Sequence, residues 1–113
     1  MPEKIIAIEK IDNIIIISFP KDELDADRAD QFANDVESLI QPGAKIIFDM
    51  SDMKFIDSSG LGAILTLMRR VKAEQGALRL CCLTETAKDI LELVRLNRVF
   101  DIYKTKQDAL NDF

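Results

Sequence analysis

An α/β domain is what this sequence predicts, with a mixed, mostly parallel sheet of four to five strands and about four helices. Three observations lead there. Short β-rich runs alternate with helical apolar patterns, the signature of strand–helix–strand crossovers. The chain opens on two neighbouring β-rich runs, which adds an antiparallel pair to the sheet. Its 113 residues are 48% hydrophobic and 31% charged. That length suits one domain over residues 1–113, with roughly two-thirds of the unfolded chain's surface buried on folding.

The elements follow in order. Lys4 to Glu9 and Asn13 to Phe19 read as strands, with the polar Asp12-Asn13 step as a hairpin turn. Pro20-Lys21-Asp22-Glu23 reads as a polar loop. Asp25 or Asp27 is placed to cap a helix running to about Ile40. Its apolar positions Ala29, Phe32, Ala33, Val36, Leu39 and Ile40 fall at helical spacing, and Pro42-Gly43 ends it. Lys45 to Met50 reads as a short buried strand.

A second helix is expected from Ser59 to about Glu74, with Leu61, Ile64, Leu65, Met68 and Val71 on its core face and Gly76 stopping it. Leu78 to Leu83 is the next strand. Thr86, with Asp89 in the capping-box position, is expected to start a helix whose core face is Ala87, Ile90, Leu91 and Val94. Leu96 to Arg98 turns the chain, Phe100 to Tyr103 forms a short strand, and Thr105 with Asp108 caps a terminal helix.

Composition excludes several functions. The net charge of -5 argues against a non-specific nucleic-acid binder, which needs a basic footprint. No run approaches the roughly 20 apolar residues of a membrane helix, so no membrane insertion is expected. The first residues carry neither a basic leader with an apolar block nor a small-residue cleavage site, and a cytoplasmic protein is expected. The adjacent Cys81 and Cys82 would point to opposite faces of a strand, which suits buried reduced thiols. Without a histidine they make a poor zinc site, and no metal or cofactor is expected.

The stretch KFIDSSGLGAIL, Lys54 to Leu65, is where chemistry concentrates. The absence of histidine rules out a Ser-His-Asp triad, and no glycine stands two before either serine as a nucleophile elbow requires. Neither a P-loop string nor G-x-G-x-x-G occurs, so no enzyme is expected. A strand end followed by Asp57-Ser58-Ser59-Gly60 and a helix places Ser58 near the N-cap, at a mouth of unpaired N–H groups. At about 100° per residue, Ser59, Gly62, Ala63, Thr66 and Arg70 share one face, opposite the apolar one. That face is small and flat. Glycine in an exposed helix interior costs about 0.5–1 kcal/mol against alanine, so Gly62 suggests a surface that another protein approaches closely.

DSSGLGAIL after FDMSDMKFI resembles the signature of STAS-domain anti-sigma factor antagonists. ELDADRADQF and RVFDIYKTKQDAL resemble other segments of that family, and the similarity spans nearly the whole chain. The resemblance implies a STAS-like fold and a partner switch. The unphosphorylated antagonist binds an anti-sigma factor that is also a serine protein kinase, and so frees a sigma factor. Phosphorylation of the motif's first serine, here Ser58, ends the interaction, and a serine phosphatase restores it. By the same resemblance Asp25 and Asp57 flank the phosphosite, and Ser59 and Gly60 complete the motif. Partner binding is thus expected at Asp25, Asp57, Ser59, Gly60, Gly62, Ala63 and Thr66. The family's usual glycine before ELD is absent here, where Pro20-Lys21-Asp22 stands. The sequence also allows two other readings: an unphosphorylated scaffold subunit of a larger signalling or lipid-transport complex, and a small-ligand or nucleotide sensor at the Ser58 helix mouth.

Overall fold

A computed structural model of the chain describes residues 6–19 and 23–113. A hairpin opens it, formed by β1 (Ala7–Ile11) and β2 (Ile14–Ser18). Asp12 sits between them at a φ of 55°, a left-handed conformation that aspartate tolerates in tight turns. The hairpin therefore lies where the Asp12-Asn13 step puts it. The expected start of the first strand at Lys4, and Pro20-Lys21-Asp22 of the expected loop, lie outside the described residues.

After β3 (Glu23–Leu24) come α1 (Ala26–Glu37), β4 (Lys45–Asp49), β5 (Phe55–Ile56), α2 (Ser58–Ala73), β6 (Ala77–Cys81), α3 (Glu85–Leu93), a 3-10 turn at Leu96–Arg98, β7 (Asp101–Tyr103) and α4 (Lys106–Asn111). Among the described residues the main sheet has five strands in the order β1-β2-β4-β6-β7. Only the β1–β2 pair is antiparallel, so the sheet is mixed and mostly parallel, as expected. A separate two-stranded parallel sheet pairs β3 with β5. Its strands are too short to leave a periodic signal, and the sequence reading missed it.

Alternation along each strand sends side chains to two faces. On one, Ile17, Ile46, Phe48, Leu78 and Leu80 meet Phe32 and Val36 of α1, Leu61, Ile64 and Leu67 of α2, and Leu91 of α3. On the other, Ile14, Ile16, Ile47 and Cys81 meet Ala109 of α4. Three helices thus cover one face, and the short α4 covers the other.

Several boundaries differ from expectation, each for a local reason. The regular part of α1 ends at Glu37, and tighter turns carry the chain to Ile40 through the Leu39 N–H to Val36 O and Ile40 N–H to Glu37 O bonds. Gln75, not Gly76, is the left-handed residue that stops α2, at a φ of 64°. The N–H groups of Gln75 and Gly76 then return to the carbonyls of Lys72 and Val71, a Schellman closure. Gly76 serves a different need, because a Cβ there would sit 2.3 Å from the Ala44 carbonyl oxygen. Thr84, not Thr86, caps α3. Its hydroxyl accepts from the Ala87 N–H at 3.1 Å and donates to the Met53 carbonyl at 2.8 Å. Thr105 caps α4 as expected, accepting from the Asp108 N–H at 3.0 Å.

Candidate functional site

The α2 N-terminus is built from two segments joined by one carboxylate. The β3–β5 pairing sets Leu24 beside Ile56, and the Asp57 N–H donates to the Leu24 carbonyl at 3.3 Å. Asp57 is the N-cap of α2, which sets Ser58 next to the cap, near the N-cap as expected, and starts the helix one residue before the expected Ser59. Its Oδ1 accepts from the Gly60 N–H at 2.9 Å, while its Oδ2 accepts from the Ala26 N–H at 3.1 Å. The first turns of α1 and α2 are therefore held by the same side chain. Both helix N-termini offer positive dipole ends, where a carboxylate is favoured.

Ser58 is then the first residue of α2, and its side chain is exposed. Ser59 follows it and is exposed as well. Asp25 stands across from Asp57, at the N-cap position of α1, but makes no side-chain cap bond. Its Oδ2 accepts instead from Arg28 Nη1 at 3.2 Å, and its Oδ1 is buried without a hydrogen-bond partner. Arg28 also reaches Glu23 at 3.8 Å. Asp25, Asp57 and Ser58 thus do come together, through a pairing of short strands the sequence did not reveal.

The glycines divide. Gly60, expected to face a partner, is buried, because a Cβ there would lie 2.4 Å from the Leu24 carbonyl oxygen. It is glycine so that α2 can approach β3. Gly62 is exposed, and a Cβ there would meet nothing within 4 Å. Thr66 is exposed beside it, whereas Ala63 is half-buried and packs against the core. The buried face of α2 also includes Leu67, which the sequence pattern left out, while Leu65 is only half-buried. Arg70, at the far end of the small strip, pairs with Glu37 of α1 at 2.9 Å. Ser58, Ser59, Gly62 and Thr66 remain as a flat exposed strip leading away from the Asp57 cap.

The cysteines also depart from expectation. Cys81 is buried and Cys82 half-buried, and both are free thiols. They do not point apart. Cys82 lies past the end of β6 at a φ of 62°, and its thiol turns back towards Cys81. Burial pushes the Cys81 thiol above its ordinary range, and a hydrogen bond with Cys82 adds to this.

The family model for the STAS domain matches residues 6–109. The chain belongs to the STAS domain family. One relative of this STAS domain is a Thermotoga neapolitana protein provisionally named as an anti-sigma factor antagonist. It is 31% identical over 105 residues, covering 91% of this chain and 93% of its own. A solved anti-sigma-factor antagonist domain from Planctomyces limnophilus superposes with a TM-score of 0.86 at 25% identity, covering 95% of this chain and 96% of its own. The antagonist SpoIIAA, solved in an unphosphorylated form, shares the fold with a TM-score of 0.78 at 24% identity, over 95% of this chain and 94% of its own. Its phosphorylated form, from Bacillus, has also been solved and superposes with a TM-score of 0.70 at the same 24% identity, over 95% of this chain and 97% of its own. Among the described residues no helix is long and apolar enough to cross a membrane.

Proposed function

We propose that this STAS domain is an anti-sigma factor antagonist that switches partners through Ser58. In its unphosphorylated form it binds an anti-sigma factor with serine kinase activity. Transfer of the γ-phosphoryl group of ATP to the Ser58 hydroxyl, with ADP as the leaving group, ends that binding, and a serine phosphatase restores the hydroxyl by hydrolysing the phosphoserine to inorganic phosphate. The chain acts as a binding partner and a substrate, not as a catalyst, and works in the cytoplasm.

The observation that carries this reading is the exposed Ser58 at the start of α2, beside a strip where Gly62 leaves open space. A kinase active site needs a serine it can reach. A partner that packs closely needs a surface without protruding side chains. The two lie next to one another on one helix.

The electrostatics support a switch at the interface rather than in the fold. A phosphate adds about -1.5 to -2 charge. At the first turn of a 16-residue helix the dipole favours that charge by about 0.3–1 kcal/mol. Asp57 is held in place by the Gly60 and Ala26 N–H groups, and as an acceptor-only carboxylate it offers the phosphate repulsion and no bond. A partner packed against the strip would have to desolvate the dianion beside two aspartates. A loss of ~3 kcal/mol in binding would weaken the complex more than 100-fold.

The test pairs stability with affinity. Titration calorimetry against the candidate kinase is run with the wild type, Ser58→Ala and Ser58→Asp, and the wild type is incubated with the kinase and ATP before mass spectrometry. Tight binding by the wild type and Ser58→Ala, weak binding by Ser58→Asp, and one phosphoryl group on Ser58 are expected. Unchanged binding by Ser58→Asp, or a phosphoryl group found only on Ser59, overturns the proposal.

A further inference from the structure

The C-terminal edge of the parallel strands carries a second group of reactive side chains, on the face covered by α4. Asp49 ends β4 and Cys81 ends β6, and the two are partners in register. Their side chains therefore leave the same face of the sheet side by side. Cys82 would point to the other face if the strand continued. Its left-handed backbone, φ 62°, turns it back instead. The other left-handed non-glycine residues among those described are Asp12, Gln75 and Arg95. They close a hairpin or end a helix, and Cys82 does neither. As a result a carboxylate oxygen of Asp49 and the Sγ atoms of Cys81 and Cys82 all lie within 4.8 Å of one another.

We propose that Asp49, Cys81 and Cys82 form a binding site for a thiophilic divalent cation of the zinc and cadmium class, held by two thiolates and one carboxylate. Around a tetrahedral zinc ion, bonds of about 2.3 Å to sulfur and 2.0–2.2 Å to oxygen set neighbouring donors roughly 3.6–3.8 Å apart. The donors here need to draw together by no more than about 1 Å to meet that geometry. Soft thiolates select such ions over magnesium or calcium. The Ser51 N–H donates to Asp49 Oδ1 at 3.0 Å and orients the carboxylate, as hydrogen bonds behind metal ligands commonly do. Cys81 is buried, while Asp49 and Cys82 are only half-buried. An ion held here would keep its fourth position towards solvent, open to water or to a donor from another protein.

The site is independent of Ser58, so its test does not depend on the partner switch. The full chain, kept reduced, is titrated with cadmium alone, and the ultraviolet thiolate-to-cadmium charge-transfer band is followed. One cadmium per chain is expected, competed off only by a large excess of zinc, because thiolates favour the softer ion. Cys82→Ser should abolish the band, and Asp49→Asn should weaken binding at least about tenfold. Both substitutions change half-buried side chains. Zinc should also raise the melting temperature of the wild type and leave that of Cys82→Ser unmoved. The absence of a charge-transfer band in the wild type, or equal affinity in Asp49→Asn, overturns the site.

Discussion

Gly60 and Gly62 stand two residues apart on α2 and answer to opposite demands. Gly60 is fixed by the Leu24 carbonyl, which a Cβ would approach to 2.4 Å. Gly60→Ala is expected to cost about 1–3 kcal/mol in denaturant unfolding, because the obstacle is backbone and cannot swing away. Gly62 has open space where its side chain would be. Gly62→Ala is expected to stabilise the free chain by about 0.5–1 kcal/mol, the helix propensity it gains. On the proposed function it should also weaken binding to the kinase, so stability and affinity should move in opposite directions. Asp57 is the other decisive residue. Asp57→Ala removes a bond to Gly60 N–H and one to Ala26 N–H. A loss of about 1–3 kcal/mol is expected on thermal or chemical unfolding, more than an ordinary single cap. The DSSG stretch announced a helix start in the sequence, but not which residue caps it. Asp57 and Ser58 are both good capping types, and only the backbone of Asp57, extended at a φ of -98°, decides between them.

Among the elements, α4 shows how much depends on a few contacts. It spans only Lys106–Asn111, too short to hold itself together in isolation. Beyond Ala109, Leu110 and Phe113 pack on the same cluster, Lys106 pairs with Glu9 of β1 at 3.4 Å, and two further contacts tie this end of the chain to the sheet. The Tyr103 hydroxyl donates to Asp112 Oδ2, and the Arg79 guanidinium lies 3.9 Å from the centre of the Phe113 ring. Arg79 Nε and Nη1 are buried without hydrogen-bond partners, so the ring face is a principal compensation for that charge. Phe113→Leu is expected to lower stability by about 0.5–2 kcal/mol in a denaturant titration. Tyr103 is the only tyrosine in the chain, which makes its ionisation easy to follow by absorbance. The bond to Asp112 holds its pKa above the ordinary 10.0. A raised value means the folded state keeps the proton longer than the unfolded one. The stabilisation is then complete below pH 10.0 and is lost as pH rises through the raised value. In Asp112→Asn the titration should move back towards 10.0. The capping of α4 by Thr105 was legible because a threonine three residues before an aspartate is a local signal. The β3–β5 sheet was not, because two residues per strand carry no period and the pairing joins segments 32 residues apart in register.

At the scale of the molecule, the side of the sheet under α1, α2 and α3 carries most of the cohesion. Phe19, Phe32 and Phe48 form a mutual cluster with ring centres 5.3, 5.9 and 5.6 Å apart. Phe32→Ala is expected to cost about 3–5 kcal/mol, a large share of the 5–15 kcal/mol available to a typical domain. The helical and strand periods made this core readable: Phe32, Val36, Ile64 and Val71 are buried where the pattern put them. The pattern could not show that one carboxylate holds two helices. That shared Asp57 makes the Ala26 amide a built-in reporter. Its proton is protected by the same side chain that caps α2, so anything that pulls the carboxylate aside to accommodate charge on Ser58 must also release it. Hydrogen–deuterium exchange at Ala26, faster in the phosphorylated chain than in the unmodified one, would register the event on Ser58 from a different helix, with no partner protein in the tube.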